Sequence, residues 1–222
     1  MKYIVRAVAG CLAFVGLLSA ANSATFDLPP LVVGNKIAAN DTVNNNIWIG
    51  EAQSFTAQDS NVLFGFYLYE SAQVPTDVLF SLYAGDGTFS TLLSQRPATL
   101  LSGTPQSPVL LSVDFSSTTL TVNSKYTVVI TMPTMTLPPI GTQANVGVMF
   151  AGSNGSGNPN PYAGGSFYYF GSSINPSFFL DRDIAFRVTP VPEPAVYALL
   201  ISGLAVLAVR RATRFVKPIS NA

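Results

Sequence analysis

Val109, Leu111, Val113 and Phe115 alternate with Leu110, Ser112 and Asp114, so an extended chain here carries four of its five apolar groups on one face. Tyr126, Val128, Ile130 and Met132 repeat the pattern against Thr127, Val129 and Thr131. A period of two belongs to a strand, because helix faces repeat every 3.6 residues. No stretch from residue 25 to residue 190 shows the helical period with caps. Val62 to Tyr69 and Val78 to Tyr83 are richer in aromatics and read as strands apolar on both faces. Later strands are expected at Val146–Ala151, Ser166–Phe170 and Ile184–Val188, and Leu31-Val32-Val33 marks a lead-in strand in a stretch rich in Pro, Asn and Asp. Turn residues separate the runs: Gly85-Asp86-Gly87 suits a hairpin, Pro105 and Pro108 interrupt before Val109, and Asn123-Ser124 precede Tyr126. Eight or nine short strands joined in this way predict an all-β fold, a single antiparallel β-sandwich of jelly-roll type over residues 24–190.

Apolar segments flank that region. Lys2 and Arg6, an apolar run from Ala7 to Leu18, and small residues from Ser19 to Ala24 read as a secretory signal peptide over residues 1–23. Cleavage after Ala21 and cleavage after Ser23 both satisfy the small-residue rule. Cys11, the only cysteine of the chain, ends a lipoprotein-like Val8-Ala9-Gly10-Cys11, but too few apolar residues precede it for lipidation. It is therefore expected to leave with the signal peptide. The exported part has no disulfide and depends on its core.

Formal net charge is zero, yet six of the basic residues (Lys2, Arg6, Arg210, Arg211, Arg214, Lys217) lie in the terminal segments. The region between is mildly acidic. It has no basic patch, which excludes a nucleic-acid partner.

Near the C-terminus, Val191-Pro192-Glu193-Pro194 is followed by an uncharged apolar run from Ala195 to Val209 and then by Arg210 and Arg211. The two prolines fix φ and withdraw backbone donors, so this link is extended and no helix crosses it. Glu193 is expected in solvent, since burying an unpaired carboxylate is costly. As a helix, residues 195–209 span about 22 Å at 1.5 Å per residue. That is short of a hydrocarbon core of about 30 Å, but the flanking Tyr197 and snorkelling arginines extend it. The basic cluster Arg210, Arg211, Arg214 and Lys217 fits a stop-transfer pattern facing the cytoplasm, with residues 215–222 as its tail.

In this order and spacing the three parts resemble the PEP-CTERM sorting signal of Gram-negative bacteria, here over residues 191–214. The resemblance implies that Val191, Pro192, Glu193, Pro194, Arg210 and Arg211 form a processing signal read by a partner, the membrane-embedded cysteine transpeptidase-like exosortase, which removes the tail. It implies an inner-membrane intermediate with a periplasmic domain, then a place at the cell surface or in an exopolysaccharide-containing extracellular matrix or biofilm. A second resemblance is carried by Ala52-Gln53-Ser54-Phe55-Thr56, Phe66-Tyr67-Leu68, Leu82-Tyr83 with Asp86-Gly87, Tyr126-Thr127-Val128-Val129, Asn160 to Ser166 and Asp183-Ile184-Ala185-Phe186-Arg187. In order, these are similar to a β-sandwich module common in secreted bacterial proteins.

The chain has no histidine, which removes Ser-His-Asp and Cys-His catalysis and the commonest transition-metal ligand. Asp181 and Asp183 share a strand face and offer a carboxylate pair for glycoside hydrolysis, but a polar strand start explains them better. The expectation is no catalytic residue and no enzyme. No ligand-spaced metal motif occurs, so no cofactor is expected; a structural Ca²⁺ held by oxygens of Asp41, Asp59 and Asp183 is the one exception weighed. The Gly/Ser/Asn run from Gly152 to Asn158 lacks the Lys-Ser/Thr and helix of a phosphate cradle and reads as a surface loop. Trp48, Tyr67, Tyr69, Tyr162, Tyr168 and Tyr169 serve either as core or as stacking platforms for sugar rings. Trp48, beside an Asn-rich loop, and Tyr162, in a Pro-rich one, are the residues expected to be exposed. They carry the alternative function, a carbohydrate-binding module recognising exopolysaccharide.

Overall fold

The computed structural model describes residues 24–41, 46–72, 74–152, 161–171, 182–191, 202–204 and 206–207. Residues 23–190 form one compact unit, and it is all-β with antiparallel pairing throughout.

The first sheet is built on β6 (Val62–Glu70). One edge of β6 takes β9 (Val109–Asp114), from Leu68↔Val109 to Leu63↔Asp114. Two strands share the other edge: β13 (Phe186–Pro190) pairs along Val62–Phe66 and β11 (Val146–Phe150) along Leu68–Glu70. Outside these lie β1 (Phe26–Leu28) on β13 and β2 (Val32–Lys36) on β11. The second sheet has the order β12 (Phe167–Phe170), β5 (Gly50–Thr56), β10 (Lys125–Thr131), β7 (Thr76–Ala84), β8 (Leu92–Leu100). A short hairpin pairs β3 (Ala39–Asp41) with β4 (Asn46–Trp48).

The core lies between the sheets, an arrangement compatible with a β-sandwich. Phe64, Phe66, Phe150 and Phe186 from the first sheet and Phe55, Phe80, Val128, Ile130 and Phe167 from the second belong to one buried cluster. Rings bridge the two: Phe66 to Phe80 at 5.7 Å, Phe55 to Phe64 at 5.2 Å, Phe150 to Phe167 at 5.2 Å. Burying one such ring contributes about 1.5–3 kcal/mol, so hydrophobic burial can stabilise the domain without disulfides.

Alternation places Val113 and Phe115 inward as the sequence predicts, while Val109, the first residue of β9, is exposed. The single apolar face expected for β10 needs correction. Thr127, Val129 and Thr131 are also fully buried, because Tyr83 and Tyr168, with Phe89 and Phe170, cover the outer face of this central strand. The described residues hold thirteen strands rather than eight or nine. Among the additions is β8, whose nine residues include Arg96 and Pro97 and pair with β7 alone. A sheet edge tolerates the missing N–H of proline.

Residues 1–23, expected to be a signal peptide, lie outside the described residues, as do residues 153–160 and most of the tail. Residues 202–204 and 206–207 are helical, and no helix among the described residues is long and apolar enough to cross a membrane.

Candidate functional site

Antiparallel pairing of β1 with β13, Phe26↔Val188 and Leu28↔Phe186, sets the start of the β-rich unit beside its end. At that pole Ala24, Phe26, Thr56, Gln58, Asp59, Val62, Tyr162, Val188 and Pro190 line a pocket of about 110 Å³. Its polar members, Thr56, Gln58 and Asp59, come from the end of β5 and the stretch joining it to β6. Its apolar members come from β1, β6, β13 and the segment before β12. Asp59 Oδ1 accepts the Asn61 N–H at 3.3 Å, which fixes the turn that presents it.

Tyr162 is held from several directions. Its Oη accepts the Thr56 N–H at 3.0 Å, and its own N–H donates to Asp183 Oδ2 at 2.9 Å. Its ring packs 4.8 Å from Phe26 and 5.2 Å from Phe186. Half-buried and tied down, it forms a pocket wall rather than a projecting platform.

Asp183 is fully buried and works as a clamp. Gln53 Nε2 donates to its Oδ1 at 2.6 Å while Gln53 Oε1 accepts the Ile184 N–H at 2.9 Å. Burial pushes the Asp183 carboxyl up to about 6, against the pull of the Gln53 and Tyr162 hydrogen bonds toward ionisation. Asp181, the other member of the carboxylate pair weighed from the sequence, lies outside the described residues.

Trp48 is buried, at 6% exposure, which corrects the expectation that it is exposed. Its indole stacks on Tyr169 at 4.4 Å and 24°, and Nε1 donates to the Lys36 carbonyl at 3.0 Å. Both ends of the ring system therefore serve packing. Its stacking partner comes from β12, far along the chain, and the Asn-rich surroundings of Trp48 give no sign of it.

No group of three or more acidic, histidine or cysteine residues that could hold a metal occurs among the described residues, and the side chain of the Ca²⁺ candidate Asp41 lies outside them. Of the residues expected to form a sorting signal, Val191 is described and partly buried. Pro192, Glu193, Pro194, Arg210 and Arg211 lie outside the described residues.

Two acids carry no functional signal in the sequence. Asp86, in the turn after β7, accepts Ser54 Oγ at 2.5 Å and Tyr168 Oη at 2.8 Å and pairs with Lys125. Despite partial burial, these partners hold its carboxyl below the usual range, and its charge helps push the Tyr168 phenol, already raised by burial, to about 12. Glu51, on β5, is fully buried and neither carboxyl oxygen has a hydrogen bond of ordinary geometry. Burial drives it well above the usual carboxyl range, outweighing the opposing effects of Asn35 and Arg182. Single acids within strands leave no linear motif.

Comparison of the chain with protein-family profiles, with curated proteins and with solved structures found no match.

Proposed function

We propose that this is a non-enzymatic exported protein: a jelly-roll-like β-sandwich carried between a cleavable signal peptide and a PEP-CTERM tail that an exosortase processes. Its place is then the cell surface, extracellular matrix or biofilm, after an inner-membrane intermediate. The reading is supported by the tripartite tail, Val191-Pro192-Glu193-Pro194, apolar run and Arg210-Arg211, following a β-rich unit that ends at Pro190. Among the described residues the last ladder pair is Pro190↔Val62, and the tripeptide follows two residues later in the sequence. Two prolines with no N–H to offer a ladder keep it from extending β13. An extended segment of this kind suits a protease, which binds substrate backbone as a strand.

The test is the intact mass of the protein recovered from its host with and without the exosortase. Loss of the tail beyond Pro194 only when the enzyme is present supports the reading. A species that keeps residues 195–222 in both strains overturns it and leaves a single-pass membrane protein.

A further inference from the structure

We propose that the end of the β-rich unit gathered around Glu70 is a self-association surface, on which a second copy of this chain docks end to end. The inference stands independently of the tail. Glu70 closes β6, and the connections β6–β7, β8–β9 and β10–β11 meet there. The Glu70 N–H donates to the Gly103 carbonyl at 3.0 Å, and the Ser71 N–H donates to the Asn145 carbonyl at 3.0 Å. The buried carboxyl oxygens of Glu70 accept the N–H groups of Ala72 at 2.8 Å and Val74 at 2.9 Å. Large apolar side chains are nevertheless left outside: Leu101 is 70% and Ile140 77% exposed, and Val74, Val109 and Leu137 are exposed with them.

Charge says what covers this end. From Ser71 to Pro75, Leu101 to Pro108 and Met132 to Asn145 the sequence holds no Asp, Glu, Lys or Arg. Over residues 24–190 as a whole, acidic residues outnumber basic ones, so two copies repel across most of their surfaces. A two-fold contact sets a patch against itself, and any charge on it meets its own image. An uncharged patch escapes that cost. The neighbouring charges stand at its margin. Lys36 Nζ donates to the Asn145 carbonyl at 2.9 Å, Asp77 Oδ1 accepts from Thr99 at 2.6 Å, and Asp41 belongs to the adjoining β3–β4 hairpin.

Size and rigidity fit the same occupant. The three connections amount to the roughly 20–30 residues that a standard interface takes from each partner. Pro75, Pro105, Pro108, Pro133, Pro138 and Pro139 fix φ along them. Asn40 Nδ2 ties the longest one down by donating to the Pro138 carbonyl at 2.8 Å. Docking therefore has little backbone left to order.

The full chain is followed by sedimentation velocity in a zwitterionic detergent, with micelles in excess over protein. We expect a monomer–dimer equilibrium with a Kd on the order of micromolar or tighter. Ile140→Asp and Leu101→Asp each set like charges face to face and should weaken it at least about tenfold. Val122→Asp is the control: its neighbour Asn123 donates to the Ala57 carbonyl, at the other end of the unit, and the dimer should be unchanged. All three sites are exposed, and an unchanged melting temperature confirms that the variants fold. A chain that stays monomeric at every concentration overturns the proposal. So does a dimer that either Ile140→Asp or Leu101→Asp leaves intact, which would put the contact elsewhere. Equal weakening by all three variants would mark net-charge repulsion and overturn it too. Amide shifts of Val74, Leu101 and Ile140 that follow detergent rather than protein concentration would make a lipid surface the occupant, with the same consequence.

Discussion

Arg187 donates through Nη2 to Asp27 Oδ2 at 2.5 Å and to Tyr67 Oη at 3.0 Å, so one guanidinium on β13 ties together the strands on either side of it. Tyr67 closes the triangle by donating to Asp27 Oδ1 at 3.0 Å. Asp27 is held below the ordinary carboxylate range, first by the hydrogen bond from Arg187. The pair is about one-third exposed, and exposed pairs contribute little to global stability. Arg187→Ala is therefore expected to cost only about 1 kcal/mol in urea unfolding. Its effect should be local: amide exchange of Phe26–Leu28 should accelerate well beyond that of β6, because β1 has three residues and pairs only with β13. Equal acceleration of β1 and β6 would show that the triangle does not act locally.

Stability should rise on mild acidification and fall on strong acidification. Asp183 titrates at about 6 in the folded chain, above the 3.8 of an ordinary aspartate, so the folded state binds more protons between those values. Its contribution is fully present below about 3.8 and is lost as pH rises through 6; the gap between the two values is worth at most about 3 kcal/mol. Glu51 acts in the same direction above its ordinary value of 4.5. Asp27, Asp86 and Asp114 lie below the ordinary value; their contribution is present above 3.8 and disappears as pH falls through their folded values. Melting temperature is expected to peak near pH 4–5. A curve that climbs steadily from pH 4 to pH 8 would contradict this.

Gly165→Ala should damage the pole without touching the central core. A Cβ built on Gly165 runs into the carbonyl of Ser54, a backbone atom that cannot swing aside. Relief requires the segment before β12 to move off β5, breaking the Ser54 N–H to Ser166 carbonyl bond of 2.9 Å. About 1–3 kcal/mol of stability should be lost, the range of overpacking. Because Tyr162 and Gly164 belong to the same segment, the Thr56 Oγ1 to Gly164 carbonyl bond of 2.8 Å should be lost too. The check is urea unfolding together with amide shifts at Thr56 and Tyr162. An unaltered Thr56 amide would contradict the coupling.

What is legible in the sequence follows from how each strand is covered. Strand β9 has one buried face, so period-two alternation exposes it at once, down to the buried Phe115 just past its end. Strand β8 escapes because an edge with little buried surface leaves no apolar period. Polar Glu51, Gln53 and Ser54 hide the burial of β5, since every residue from Gly50 to Phe55 is buried whatever its polarity. Trp48 and Tyr162 stand out in the sequence as aromatics outside the long strands. Which of them packs inward depends on Tyr169, Phe26 and Phe186, contacts that no local window contains.

Glu51→Gln provides the sharpest check on the buried acid. A carboxyl with no exposure and no ordinary hydrogen bond is pushed by burial toward its neutral form in the folded chain, whereas unfolding lets it ionise in water. That ionisation favours the unfolded state increasingly as pH rises above 4.5, and glutamine, which does not titrate, removes it. The amide brings an extra donor that needs a partner, so the variant is expected to be somewhat less stable than the parent at pH 4. Relative to the parent it should gain stability between pH 4 and pH 7. The decisive quantity is this difference between the two pH values, read from paired urea curves, because packing changes common to both cancel. An identical difference in stability at pH 4 and pH 7 would mean that Glu51 is ionised in the fold, and that the Arg182 cation outweighs burial.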